Sequence, residues 1–453
     1  MKEINNYKRG KVFLAVILPA KDNYICLNRE NFYPALPPID LMYLASIAER
    51  AGYDAKIFDG NVDNDFYNEL IQYSPNFIIA DIKLKTYKAE MEILAKVKQM
   101  LPSVKIIVKG TPFFTYNNNV TYENPFIDYA VLGEPEKTIK DILEGVPSCE
   151  IGGICYTDEN MQAQKNDKNC FIENLDVLPF PARHLINNKN YIYKRKLQTP
   201  IEVSRGCPYY CFHCLSTPLS GAEVRYRSVS SIVIELKECI EKYNIKHFVF
   251  LSDIFNSKPE WIKELCKRII DEKLNITWSS SIFPNYIDDE TASLMHKSGC
   301  KYCYINAISG SNLVLQCINK DIDIEKIKNV TEVLNRNKIK AYANFIVGFP
   351  PETEETVNDT IKFALKLKCD GINFETPIPI PGTKFFIYSI LNRLITEKIN
   401  FDSGPIVKTI KLSKKQILKL KKYAEKKYFF HSKYIINNVI KLIILKLKNL
   451  HKA

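Results

Sequence analysis

Residues 202–218 read EVSRGCPYYCFHCLSTP. Three cysteines, Cys207, Cys211 and Cys214, fall within eight residues in a C-x3-C-x2-C spacing. They follow directly on "IEVS", a short apolar run that reads as a strand. Further strand candidates come at intervals toward the C-terminus: "HFVFLS", "ITWSSS", "YCYINA", "YANFIVG" and "GINFETP". Each is followed by helix-like sequence. Six such units predict an open, partial (β/α)6 TIM-like barrel, in which chemistry collects on the loops after the strands. The cysteine loop follows the first strand, where such a barrel carries its site.

The spacing bears on what the thiols hold. A structural zinc takes four closed ligands, commonly from C-x2-C pairs. His213 as fourth ligand neighbours Cys214 and would have to fold back on the same ion. Three thiolates on one tight loop suit three irons of a cubic iron–sulfur cluster, with the fourth iron open to an outside ligand. Zinc, or thiols without a metal, are the alternatives on spacing alone. The 13 cysteines of the 453 residues are odd in number and irregularly spaced. That argues against a secreted disulfide scaffold and for the reducing cytoplasm. Cys300 and Cys303 in "CKYCYIN" read as buried structural thiols.

The N-terminal third has its own rhythm. "KVFLAVIL" imitates the apolar core of a signal peptide, but Pro19 and Lys21 follow at once and no small-residue cleavage site stands out, so it reads as a buried strand. "LMYLASIAERAGYDAKIFD" reads as a helix closed at Gly52 and then a strand, and "NFIIADI", "VKIIVKG" and "DYAVLG" as further strands. Apolar strands alternating with helices predict a doubly wound parallel sheet covered on both faces. Ligands sit at the carboxyl ends of such strands. Those ends are Pro19–Ala20, Asp59–Gly60, Asp81, Gly110–Thr111–Pro112 and Gly133–Glu134–Pro135. The organisation expected is a first domain over 1–145, a linker over 146–198 with "LPFPARH", a barrel over 199–390 and a basic helical region over 391–453.

The barrel half resembles the radical S-adenosylmethionine enzymes, whose hallmark is a C-x3-C-x2-C loop after a barrel strand. "SRGCPYYC", "FIVGFPPETEET" and "PIPIPGTKFF" are similar to segments of the subgroup with an N-terminal cobalamin-binding domain. "LPPIDLMYLASIAERAGYDAKIFD" and "VLGEPE" resemble that domain. The resemblance covers about residues 11–390. It implies a 4Fe-4S cluster on Cys207, Cys211 and Cys214 whose open iron is chelated by S-adenosylmethionine, and reductive cleavage of that cofactor to a 5′-deoxyadenosyl radical. It further implies Asp253 at the cofactor's amino group and Ile346 along its adenine. Gly348 would allow close backbone approach, with Ser309 and Glu352 nearby. Read alone, Gly348 is also a plain turn glycine and Asp253 a helix N-cap. In the first domain, Gly110, Thr111, Gly133 and Glu134 would meet cobalamin or its nucleotide tail.

Two departures from the subgroup stand out. Ile308 in "NAISGS" takes the place where a glutamate often binds a ribose hydroxyl. His213 stands before the third cysteine where Phe or Tyr is common. No D-x-H-x-x-G is present and no histidine precedes His184, so either cobalamin binds without a protein histidine on cobalt or the domain is a remnant that binds nothing.

The resemblance implies a C-methyltransferase acting on an unactivated carbon of a small-molecule or lipid substrate. The alternatives are a rearrangement or cyclisation on the same fold, or a non-catalytic iron–sulfur protein. A methylthio-transfer role on RNA is disfavoured, because only Cys26 occurs before Cys149. The reductant would be a flavodoxin or ferredoxin. The net charge of +12 is matched by the 13 lysines and one glutamate from Lys411 to Ala453, so no nucleic-acid groove is expected. The tail repeats Ile436, Val439, Ile440, Ile443, Leu447 and Leu450 at helical spacing, which predicts a peripheral contact with anionic membrane or a helix docked on the protein itself.

Overall fold

A computed structural model describes residues 9–19, 36–115, 120–167, 171–395 and 407–430. In the first domain β1 (Lys11–Val16), β2 (Asp54–Asp59), β3 (Phe77–Asp81), β4 (Lys105–Lys109) and β5 (Tyr129–Val131) are parallel and ordered 2-1-3-4-5. Strand alternation sends Val12 and Leu14 to one core, with Leu41, Leu44 and Ala48 of the helix Ile39–Arg50. Phe13 and Ala15 go to the other, with Phe66, Leu70 and Leu94. Burial on both faces explains why these strands read as unbroken apolar runs. The strand order reverses between β1 and β3, which opens a crevice at the carboxyl ends. Asp59 instead accepts a hydrogen bond from Tyr191 Oη at 2.7 Å. Ala20 lies outside the described residues.

The sheet continues past residue 145. β6 (Ile154–Thr157) and β7 (Ala163–Asn166) add antiparallel to β5, so the linker expected from 146 begins inside the first domain. Neither strand is long enough to show its period. Residues 171–198 are not a loose connection either. Ala182 packs into the first core, while Arg183 is buried against Glu235 at 2.7 Å and the Pro200 carbonyl at 2.8 Å.

The second sheet holds a short hairpin strand, β8 (Ile192–Tyr193), and then six parallel strands. They are β9 (Lys196–Glu202), β12 (His247–Leu251), β13 (Thr277–Ile282), β14 (Cys300–Ile308), β15 (Lys340–Ile346) and β16 (Gly371–Glu375). β10 (Ser204–Arg205) and β11 (Arg225–Tyr226) form a separate two-stranded ladder. Alternate residues of the barrel strands, among them Phe248, Phe250, Trp278, Ala341, Ala343 and Phe345, enter the outer core with the helices. The opposite set faces the lumen: Val249 and Leu251, Ser279 and Ser281, Tyr302, Tyr304 and Asn306, Tyr342 and Asn344, Asn373 and Glu375. Tyr193 stacks on His247 at 5.3 Å, and His247 Nε2 lies 2.9 Å from Tyr302 Oη, which closes the lower end.

A capping box of Ser413 and Gln416 starts the helix Lys414–Phe429, whose Ile417 and Ala424 pack into the barrel core. The amphipathic repeat from Ile436 to Leu450 lies outside the described residues. No described helix is long and apolar enough to cross a membrane.

Candidate active site

β9 delivers the chain to Arg205, and Gly206 turns it. Gly206 has φ +98°, and a Cβ there would sit 1.9 Å from the Glu223 carbonyl oxygen. Only glycine admits this approach. Cys207, Cys211 and Cys214 then line one cavity of about 260 Å3 with Asp253, Asn306, Ile308, Lys320, Asn344 and Ile346. All three thiols are free. Burial pushes the Cys207 thiol up to about 11. Ser216 N lies 3.4 Å from Cys214 Sγ, a donor suited to a sulfur ligand. Among the described residues no three Cys, His, Asp or Glu side chains converge on a single-ion site. This donor set fits a polynuclear cluster, with one iron per sulfur, better than a lone zinc. His213 is held neutral, because burial and then Lys320 lower it to about 4, and its ring lies 5.1 Å from Phe349.

A second cavity, about 430 Å3, lies at the carboxyl ends of the first sheet. Gly110, Thr111, Gly133 and Glu134 line it, as do Asp40, Asp81, Lys83, Lys109, Glu202 and Arg205. Gly133 has φ +96° and a Cβ there would meet nothing within 4 Å, so bare backbone fronts open space, as a large ring ligand requires. Lys109 is buried with Asp81 at 3.0 Å, and Lys83 caps the other oxygen of the same carboxylate. Burial alone would raise Asp81, but Lys109 and then Lys83 outweigh it and hold the carboxyl at about 2. Among the described residues no histidine lines this cavity. His184 is exposed and pairs with Glu49 at 2.8 Å.

The two cavities share Asp253. Its Oδ2 accepts from Gly206 N at 2.8 Å, and Ser252 Oγ lies 2.6 Å from Ser204 Oγ. Asp253 thus braces the cysteine loop and is not a simple helix cap.

Several expected residues take other places. Glu134 lines the cavity, yet its carboxylate is held by Arg225 at 2.5 Å and accepts from Ile172 N at 2.9 Å. Gly348 does not line the cysteine cavity. Its missing Cβ makes room for Ile417 Cγ2, which would be 2.9 Å away. Glu352 is fully buried away from that cavity and accepts from the Gly348 and Phe349 amides at 2.5 and 2.9 Å. Burial raises it to about 7. It braces the loop after β15 from behind. Ser309 is likewise buried, bonded to Thr360 Oγ1 at 3.0 Å. Ile346 does line the cavity, and so does Ile308. Ile308 holds φ +68°, unusual for a β-branched residue, at a register shift between β14 and β15. That shift places the apolar Ile308 in the wall of the cysteine cavity.

Sequence reading missed two groups. Asn306, Asn344 and Asn373 stand in register across β14, β15 and β16, with Asn373 Nδ2 donating to Asn344 Oδ1 at 3.0 Å and to Glu375 Oε1 at 2.8 Å. The signal was polar residues at period two within strands otherwise apolar on their helix-facing side. Below this rung a cavity of about 260 Å3 is lined by Leu36, Val249, Leu251, Tyr304 and Tyr342. The second group is the domain junction. Arg205 Nη2 meets Glu136 at 2.6 Å and Glu202 at 2.8 Å, while Arg225, its partner on the β10–β11 ladder, grips Glu134.

Comparison with known proteins agrees with this architecture. The model of the Radical SAM superfamily matches residues 201–364, and that of the B12 binding domain matches residues 25–143. An uncharacterized methyltransferase of Pyrococcus horikoshii is 29% identical over 415 residues, 89% of this chain and 90% of that protein. The anaerobic magnesium-protoporphyrin IX monomethyl ester cyclase of Rubrivivax gelatinosus is 25% identical over 403 residues, 84% of this chain and 72% of its own length. Among solved structures, the radical S-adenosylmethionine methyltransferase TsrM from Kitasatospora setae superposes with a TM-score of 0.70 at 17% identity, over 88% of this chain and 80% of that one. OxsB, a cobalamin-dependent S-adenosylmethionine radical enzyme, also gives 0.70, at 16% identity, over 98% and 69%.

Proposed function

Because the chain belongs to the Radical SAM superfamily and carries a B12-binding domain, we propose that it is a cobalamin-dependent methyltransferase acting on an unactivated carbon of a small-molecule or lipid substrate. The observation that carries this reading is the junction of two cavities at Asp253, one walled by three free cysteines and one set at the carboxyl ends of a doubly wound sheet.

Cys207, Cys211 and Cys214 would hold a 4Fe-4S cluster, and the strand-end cavity would hold cobalamin. Together the bound groups supply a substrate radical and a transferable methyl group. The chain's own residues position and enclose. Gly206 and Asp253 fix the cysteine loop through the 2.8 Å amide contact. Ile308 and Ile346 give the cysteine cavity an apolar wall. Lys320 sets a cation beside the thiols and over the Phe283 ring at 5.1 Å. The Asn306–Asn344–Asn373 rung and Glu375 offer amide and carboxylate partners to a substrate in the lumen. Tyr304 and Tyr342 line its apolar floor. An external one-electron donor of the flavodoxin or ferredoxin type completes the system.

The test is anaerobic reconstitution with iron, sulfide and cobalamin, followed by S-adenosylmethionine and dithionite. The expected result is 5′-deoxyadenosine together with about one S-adenosylhomocysteine per bound cobalamin, as methyl loads onto the corrinoid. A second reading, ring closure without methyl transfer, is supported by the cyclase relative. It predicts 5′-deoxyadenosine with no S-adenosylhomocysteine. Absence of both products would overturn the enzyme reading and leave a non-catalytic iron–sulfur protein.

A further inference from the structure

The helix Lys414–Phe429 has two unlike faces. Ile417, Leu420, Ala424 and Tyr428 pack on the barrel. Lys415, Lys419, Lys422 and Lys426 are exposed on the other side. Their spacing of four, three and four residues sets them in one stripe along the helix. The helix contains one acid, Glu425, and it is taken by Lys421 at 2.8 Å. None of the four stripe lysines meets a carboxylate among the described residues.

The inner face of this helix reaches the cysteine loop through two contacts. Ile417 abuts Gly348, the adjoining Phe349 ring lies 5.1 Å from His213, and His213 immediately precedes Cys214. A second helix, Lys384–Leu391, leans on the same loop. Phe385 N donates to the Phe212 carbonyl at 2.9 Å, and the two rings lie 5.4 Å apart. Phe385 also touches Phe349 at 5.8 Å, which ties the two helices together at the loop. The outward residues of this second helix are apolar: Ile387, Ile390 and Leu391 are 55%, 52% and 76% exposed. An apolar patch and a lysine stripe are thus carried by the two helices that bear on the cysteine loop, where Cys211 and Cys214 are partly exposed and Cys207 is buried.

We infer that this paired surface is the docking face for an acidic one-electron carrier protein of the flavodoxin class. The inference rests on the functional reading above, and adds where the donor binds. Electron tunnelling weakens steeply with distance, so a donor must seat beside the cysteine loop. Opposite charges steer it there, and a desolvated apolar centre holds it. The step itself would move one electron: the flavin hydroquinone would be oxidised to semiquinone, and a cluster held by Cys207, Cys211 and Cys214 would take up that electron. Anionic membrane is the competing occupant of a lysine stripe. The donor is favoured because both helices bear on the cysteine loop, a connection that membrane binding does not need.

The test compares two electron sources on the reconstituted full-length protein. In the variant K415E/K419E/K422E/K426E, the KM for reduced flavodoxin in 5′-deoxyadenosine formation should rise roughly tenfold or more, while the dithionite-driven rate stays within twofold. K415Q/K419Q/K422Q/K426Q should give a smaller rise, and the wild-type flavodoxin rate should fall between low and high salt where the dithionite rate does not. An unchanged KM overturns the inference. So does loss of the dithionite rate in both variants, which would mean that the stripe serves the fold. Loss of sedimentation with vesicles of 30% phosphatidylglycerol, with flavodoxin kinetics intact, assigns the stripe to a membrane instead and also overturns it. If wild-type protein forms no 5′-deoxyadenosine with dithionite, the functional reading fails and this inference with it.

Discussion

Arg205 is the side chain on which the junction of the two cavities depends most. It is 7% exposed, and its guanidinium serves Glu136 at 2.6 Å, Glu202 at 2.8 Å and Glu134 at 3.6 Å. Glu134 has a second cation in Arg225, but Glu136 does not, and Glu136 Oε2 is already buried without a partner. Substituting Arg205→Met keeps most of the buried volume and strands two carboxylates. Removing one partner of a buried ion pair costs about 3–5 kcal/mol. At about 2–4 °C per kcal/mol for a cooperative unit of barrel size, the midpoint of thermal unfolding should drop by roughly 6–20 °C. Anaerobic scanning calorimetry measures the shift, and limited proteolysis between the domains shows whether the junction opens first. The double variant R205M/E136Q removes one stranded charge and should recover part of the loss. A single variant within about 2 °C of wild type, or a double variant no more stable than the single, would refute the strut.

Replacing Cys207, Cys211 or Cys214 with Ala should abolish cluster absorbance and S-adenosylmethionine cleavage together, whereas Cys300→Ala and Cys303→Ala should keep both, since those sulfurs lie 3.7 Å apart inside the outer core. Glu352, raised by burial to about 7 from an ordinary value near 4.5, binds its proton more tightly in the folded state. Its contribution is therefore full below about pH 4.5 and is lost as pH rises through 7, on the order of 3 kcal/mol in all. Glu352→Gln should flatten the dependence of the unfolding midpoint on pH between 5 and 8, and an unaltered slope would sink the assignment. Cob(II)alamin-loaded protein should show no nitrogen superhyperfine splitting that changes when the protein is labelled with 15N-histidine, because no histidine among the described residues lines the strand-end cavity.

The fold was readable where burial leaves a period. β1 to β4 are buried on both faces and so appear as apolar runs, and the barrel strands gave themselves away by repetition. β6 and β7 did not, because four residues carry too little pattern and their place is set by pairing with β5. The cysteine loop was visible as a candidate from its spacing and its place after the first barrel strand, while the choice of a cluster over zinc leaned on the family resemblance. Gly110, Thr111 and Gly133 fell at a cavity because strand ends predict them, whereas Asp253 was reached through the family resemblance. Gly348 and Glu352 carry motif spacing, yet they answer to packing against Ile417 and to two loop amides. Arg205, Glu136 and Glu202 were invisible as a group, because their meeting requires two domains to come together.

The location of that group bears on how the two halves could cooperate. Arg205, Gly206 and Cys207 are consecutive, so the side chain that clamps the first domain is two residues from a thiol of the second. Glu136 lies in the first turn of the helix Pro135–Glu144, directly after Gly133 and Glu134 at the strand-end cavity. Asp253, which both cavities share, hydrogen-bonds the amide of Gly206 between the clamp and the thiol. A shift of the first domain therefore pulls on the backbone that presents Cys207, with no flexible segment between to absorb it. The Glu223 carbonyl packs so close to Gly206 that no side chain fits there, which keeps this turn a glycine. A chain whose two cofactors had to react at a fixed separation would need this arrangement: a short covalent path, a buried charge clamp and a turn that Asp253 holds through its amide.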